Sequence, residues 1–221
     1  MTLGPIQSLI DKQDNFELIR DEIASIIALE TASQQVLAVT AGEDPTLWEL
    51  KVYTERANPW ELYLNGEVTT PIVNVWYDSY NSDGGASDTI QRQKVDGLFN
   101  IDCYGRGTSQ ASGAGHVAGD ESAAKEAQRC IRLVRNIIMS AHYTYLNMRG
   151  VVWRRWPQVH TMFQPQETDR ASQAVMACRL GLSVQFNEFS PQYEAETIEL
   201  ISATVNRASD GALYFEAQFD E

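Results

Sequence analysis

The feature that most constrains this chain is a run of helical periodicity from Asp120 to Leu146. Ala123, Ala127, Cys130/Ile131, Val134, Ile137/Ile138, Ala141 and Tyr145 recur at the 3.6-residue period. Lys125, Gln128, Arg129, Arg132, Arg135 and Asn136 fill the other positions. Asp120 follows Gly119 and is placed to cap the first turn, with Glu121 adding negative charge at the positive end of the helix dipole. The apolar stripe is narrow and begins with small residues, which suits a helix lying closely across a sheet. This is a scaffold helix, and the chain on either side reads as strand.

Ahead of it, Ile6, Leu9, Ile10, Phe16, Ile19, Ile23 and Ile26/Ile27 predict a helix over residues 5–31, with Pro5 in its first turn and an interruption at Gln13 and Asp14. VLAV, within residues 33–45, either extends that helix or begins a strand, and Ala41 to Pro45 is punctuation in both cases. Trp48, Leu50 and Val52 alternate as a strand, Asn58-Pro59-Trp60 is a turn or a short helical start, and Asn65-Gly66 is a turn. Pro71 to Tyr77 is a compact strand expected to pair with Gln93 to Tyr104. The polar stretches 78–92 and 105–119 read as exposed, mobile loops that contact neighbouring subunits. Further strands are expected at Val151–Met162, Ala174–Phe189, Glu196–Val205 and Leu213–Phe219. Without an internal repeat or a long linker, residues 1–221 read as one α+β domain: a mixed, mostly antiparallel sheet packed by a long N-terminal and a long central helix.

Charge and motifs narrow the function. The formal net charge of -13, from 30 acidic and 17 basic residues, disfavours wrapping of nucleic acid and binding to anionic membranes. MTLGPIQSLIDKQDNF lacks a basic start followed by an apolar block, so no signal peptide is expected, and no apolar run approaches the ~20 residues of a membrane span. Cys103, Cys130 and Cys178 are spaced like small buried hydrophobes in a reducing compartment. Gly113-Ala-Gly115-His-Val-Ala118 matches a dinucleotide fingerprint, but the loop before it is too long and Asp120 and Glu121 occupy the place of the phosphates. Asp78, Asp83 and Asp88 crowd one loop without calcium-loop spacing, and His116, His142 and His160 have no metal-ligand spacing. Trp153-Arg154-Arg155-Trp156 mixes cations and aromatics, a set able to anchor an interface or stack on bases. Neither a catalytic centre, a cofactor nor a metal is expected.

Several segments carry a resemblance. They are E-R-x-N-P-W (Glu55–Trp60), P-I-V-N-V-W-Y-D (Pro71–Asp78), F-N-I-D-C-Y-G (Phe99–Gly105), V-W-R-R-W-P (Val152–Pro157), M-F-Q-P-Q (Met162–Gln166) and V-Q-F-N-E-F-S-P (Val184–Pro191). Together with the order of elements, they resemble the tail terminator or tail completion proteins at the head–tail joint of tailed bacteriophages. The resemblance implies a virion protein, made in the host cytoplasm, that forms a ring, usually hexameric. Such a ring caps the tail tube, docks to the head connector or neck, and lets genomic DNA pass through its lumen without specific binding. Candidate interface residues are Asp78, Asp83, Asp88, Arg92, Arg106, His116, Trp153, Arg154, Arg155 and Trp156. Another neck, collar or baseplate part is the alternative, with a nucleotide-binding enzyme behind it.

Overall fold

The interruption at Gln13 and Asp14 is where the first helix begins. The computed structural model describes residues 11–82, 92–112, 115–165, 173–189, 200–206 and 213–220, so the expected helical residues 5–10 lie outside it. Helix α1 spans Asn15–Ala41. The Asp14 amide donates to Glu17 Oε2 at 3.0 Å, holding the entry to the first turn. VLAV continues the helix, which ends where Gly42 adopts a left-handed φ of 76° and its amide, with that of Glu43, reaches back to Val39 and Ala38. By length and composition α1 could cross a membrane, with a mean hydropathy of 1.3 in an 18-residue window, although 33% of that window is buried in the protein. Uncharged polar residues interleave with the apolar ones there, so the helix holds no unbroken apolar run of ~20 residues.

After a 3-10 turn over Pro45–Trp48 come β1 (Lys51–Thr54), α2 (Glu61–Leu64), β2 (Ile72–Ser82) and β3 (Arg92–Thr108). A small hairpin of β4 (Gln110–Ser112) and β5 (Gly115–Val117) leads into α3 (Gly119–Ile138), followed by β6 (Val152–Phe163) and β7 (Gln173–Phe189). Trp48 is therefore not in a strand: Asp44 Oδ1 accepts from the Thr46 amide at 3.0 Å and winds that segment into the turn. The class is α+β, with a five-stranded mixed sheet of order β1-β2-β3-β7-β6 in which only β1 and β2 run parallel. Residues 11–190 form one compact unit. The last two strands, β8 (Leu200–Asn206) and β9 (Leu213–Asp220), pair antiparallel in a second unit, described here by itself.

Helices α1 and α3 share one face of the five-stranded sheet. There, Ile19, Ile23, Ile27, Val73, Val75, Phe99, Ile101, Ile131, Val134, Leu180, Leu182, Val184 and Phe186 form the main core. Cys103, Cys130 and Cys178 are all reduced and lie within it. Helix α3 is shorter than the periodicity predicts. Ser140 accepts from the His142 amide at 3.3 Å and starts a new 3-10 turn, and Leu146 and Asn147 have φ of 48° and 56°. Ala141 and Tyr145 thus leave the helix, although Leu146 returns to the core. At the other end Ala118 holds the cap position, and Asp120 lies inside the first turn, where its carboxylate accepts from Glu121 N at 2.9 Å.

Among the described residues, the two stretches expected to be mobile loops are largely strand. Asp78–Ser82 belongs to β2, residue 92 opens β3, and residues 83–91 lie outside the described set. Gly105 and Gly107 looked like loop composition but extend β3 beneath α3. A Cβ at Gly105 would sit 2.4 Å from the Ala123 carbonyl oxygen, and one at Gly107 would sit 1.9 Å from that of Gly119. The glycines, with Ala123 and Ala127 opposite, set how closely the helix approaches.

Candidate functional site

Alternation along each strand sends one set of side chains to the helices and the other to the opposite face. On that opposite face β2 presents Asn74 and Trp76, β3 presents Asp102 and Tyr104, and β7 presents Arg179. The register brings Asn74 opposite Asp102, and Asp102 opposite Arg179. Short α2 covers only one end of this face, where Trp60, Leu62, Tyr63, Val68, Ile72, Tyr104, Val175 and Ala177 make a second cluster. Tyr63 stitches it together by donating to the Tyr104 carbonyl at 2.9 Å and accepting from the Ile72 amide at 2.9 Å. Burial pushes its phenol well above the ordinary value.

Beside this cluster lies a cleft of about 400 Å³. Its floor is the Asp102 carboxylate, 2% exposed, which receives Arg179 Nε at 2.7 Å, Arg179 Nη2 at 2.9 Å and Trp76 Nε1 at 3.0 Å. Both carboxylate oxygens are therefore matched by the fork of the guanidinium, the geometry that makes Arg–carboxylate pairs strong. The same guanidinium carbon lies 4.7 Å from the Trp76 ring centroid and 5.1 Å from that of Phe163. Its pKa is raised, first by the hydrogen bond to Asp102, against the opposing effect of burial.

The rim is held just as specifically. Glu55 has a left-handed φ of 51°, which turns the chain away from the sheet at the end of β1. Its carboxylate then accepts from the Tyr77 amide at 2.9 Å, in place of the next strand residue. Asn74, 2% exposed, accepts from Arg56 N at 3.1 Å and donates to Arg56 O at 2.9 Å. Two side chains thus replace a backbone ladder and free residues 55–60 to wall the cleft. Four separated segments of the resemblance meet here. Glu55–Trp60, Pro71–Asp78, Phe99–Gly105 and Met162–Gln166 all contribute lining residues.

The sequence-derived candidates fall elsewhere. Trp153 is 52% exposed at a bulge in edge strand β6, with Arg92 stacked over it at 5.5 Å. Arg154 stacks on Trp156 at 4.7 Å. Arg155 turns to the helix face, where it donates to the carbonyls of Ile138 at 2.7 Å, Ser140 at 2.7 Å and Thr144 at 3.1 Å. It closes the C-terminal end of α3, and burial lowers its pKa. Asp78 is exposed at a bulge in β2 and accepts from Ser79 Oγ at 3.1 Å. Arg106 is half-buried in β3, and His116 pairs with Ala111 in the small hairpin. Asp83 and Asp88 lie outside the described residues. In the Gly113–Ala118 stretch, residues 115–117 form a strand, and Ser109 Oγ accepts from Gly119 N at 3.2 Å at the helix start.

Asp102 and Arg179 were the missed residues. Their signal was present: a charge of each sign with apolar neighbours on both sides, Asp102 between Ile101 and Cys103 and Arg179 between Cys178 and Leu180, each on the face away from the main core. Only the register between β3 and β7 shows that they pair. No protein-family model matches the chain, and no curated protein matches its sequence.

Proposed function

We propose that this chain is a structural subunit of a tailed-phage virion, forming a ring that caps the tail tube and joins it to the head connector. The observation that carries the reading is the convergence of four resemblance segments on one cleft, although they are spread over more than a hundred residues. The surroundings suit a part that works by contact. Stacked Arg92–Trp153 and Arg154–Trp156 pairs flank an edge strand of 12 residues. Arginine and tryptophan dominate the energetics of protein interfaces. The -13 charge suits a lumen that DNA crosses without adhering.

The test is negative-stain microscopy of the purified protein mixed with cognate tail tubes, alongside sedimentation velocity. A ring seated at one end of each tube is the expected image. Tubes bare at both ends would overturn the reading, while density spread along the tube wall or at the distal tip would favour another tail component.

A further inference from the structure

Helix α1, the 3-10 turn over Pro45–Trp48 and the C-terminal end of α3 enclose a second cavity, of about 280 Å³. Its apolar surface comes from Trp48, Leu133 and Ile137, and Glu30 and Tyr143 form its polar end. No lysine or arginine lines it, so Glu30 has no cation beside it there. The walls are pinned from outside the cavity. Gln35 Nε2 donates to the Trp48 carbonyl at 3.3 Å. Arg155 holds the turn after α3 through the carbonyls of Ser140 and Thr144, and Asn147 Nδ2 ties that turn back to α1 at Glu22 Oε1, at 2.9 Å. Tyr143, itself buried, donates its hydroxyl proton to Glu30 Oε1. Among the described residues Glu30 Oε2 has no hydrogen-bond partner.

We propose that this cavity binds a primary alkylammonium group, carried either by a lysine side chain or by a free amine. An ammonium brings three donors and no acceptor. The polar end offers the complement: the free Glu30 Oε2 and the Tyr143 oxygen, whose own proton is already spent on Glu30. The methylene stem then lies against Leu133, Ile137 and the Trp48 ring, the usual division of a long cationic side chain into apolar stem and charged head. The indole face attracts the same charge. Local electrostatics agree. The hydrogen bond to Glu30, burial and the charges of Glu30 and Glu22 all push the Tyr143 phenol up, and no cation among the described residues opposes them. Arg155 has its donors on carbonyls, and Arg129, which reaches the Leu47 carbonyl, is neutralised by Glu126 at 2.8 Å. The net charge of -13 draws cations from a distance. A metal ion is a poor match, because calcium and magnesium take about six or more oxygen ligands. One carboxylate lines the cavity, and the described residues hold no cluster of three His, Cys, Asp or Glu for a metal. This proposal does not rest on the tail-ring reading.

The experiment titrates n-butylammonium chloride into the full chain at constant ionic strength and follows the indole N–H signals by NMR, with that of Trp48 assigned through Trp48→Phe. A saturable shift of the Trp48 signal is expected, with a dissociation constant of about 1 mM or tighter. Glu30→Gln keeps an acceptor for Tyr143 but loses the charge, and should weaken binding at least about tenfold. Glu43→Gln removes an equal charge from an exposed position outside the cavity and should leave the affinity within about twofold. Leu133→Phe narrows the cavity without changing its charge, so it tests the site even if Glu30→Gln lowers the Tm. It should also weaken binding. Neutral n-butanol, with the same stem, should bind at least about tenfold more weakly than the amine. N-acetyl-lysine methylamide separates the two sources: an affinity equal to that of n-butylammonium assigns the cavity to a lysine side chain, and its exclusion assigns it to a free amine. The absence of a saturable shift would overturn the proposal. So would butanol binding as tightly as the amine, equal losses in Glu30→Gln and Glu43→Gln, or a folded Leu133→Phe protein with wild-type affinity.

Discussion

At the scale of single residues, Arg179 ties the outer face of the sheet together, because it neutralises Asp102 while filling the gap between Trp76 and Phe163. Replacing it with alanine leaves a carboxylate 2% exposed without its cation, a change expected to destabilise by about 3–5 kcal/mol in urea unfolding. Arg154→Ala removes only a stacked, exposed cation from the same face and should change stability by less than about 1 kcal/mol. Equal effects would mean that the Asp102 pair is not the stronger contact. The tyrosines give a pH dependence. Burial pushes Tyr77 up to about 12, and the hydrogen bond to Glu30 with burial pushes Tyr143 up to about 12, from an ordinary 10.0. Above pH 10.0 the unfolded chain releases phenol protons that the folded chain keeps. Unfolding is then favoured, so stability should be flat below that pH and fall between 10.0 and about 12. Urea midpoints across that range should show the fall, with a shallower slope for Tyr143→Phe.

Among elements, the crossing of α3 over β3 sets the geometry of the main core. Gly105→Ala places a methyl group against the helix backbone, which cannot yield as a side chain would. The expected result is a loss of stability several times larger than for Gly66→Ala, whose added Cβ meets nothing within 4 Å but carries only the strain of φ 73°. Thermal melts of both variants check this. The crossing also shows what was legible in the sequence. Helical periodicity located α3, and the small residues at its start announced a close approach. Strand composition and turn signals found β2, β3, β6 and β7 to within a few residues, and alternation was clearest in β3 and β7, which each have one face in the core. Gly105 and Gly107 were misread because glycine has one signature in sequence and two causes, turn geometry and close packing. The end of α3 was misread because Arg155, seventeen positions after Ile138, provides the carbonyl cap. The cleft was hidden for a similar reason: Asn74 and Glu55 act on the backbone of other segments, and side-chain periodicity carries no trace of that.

For the whole molecule, charge is the property with the widest reach. With 30 acidic and 17 basic residues, and with Arg155 and Arg179 already committed to internal partners, free protein should show no measurable duplex DNA binding at physiological ionic strength. Fluorescence anisotropy in a salt titration tests this. Binding that weakens by about 0.9 log unit per phosphate contact per log unit of salt would contradict the proposed passive lumen and return attention to Trp153–Trp156. The three thiols have a different, practical bearing. Cys103, Cys130 and Cys178 are each 0% exposed, so maleimides should pass over the native fold. The protein is thus ready for single-site spectroscopy. One cysteine introduced anywhere on its surface becomes a unique address for a dye or spin label, without first stripping the chain of its own sulfur.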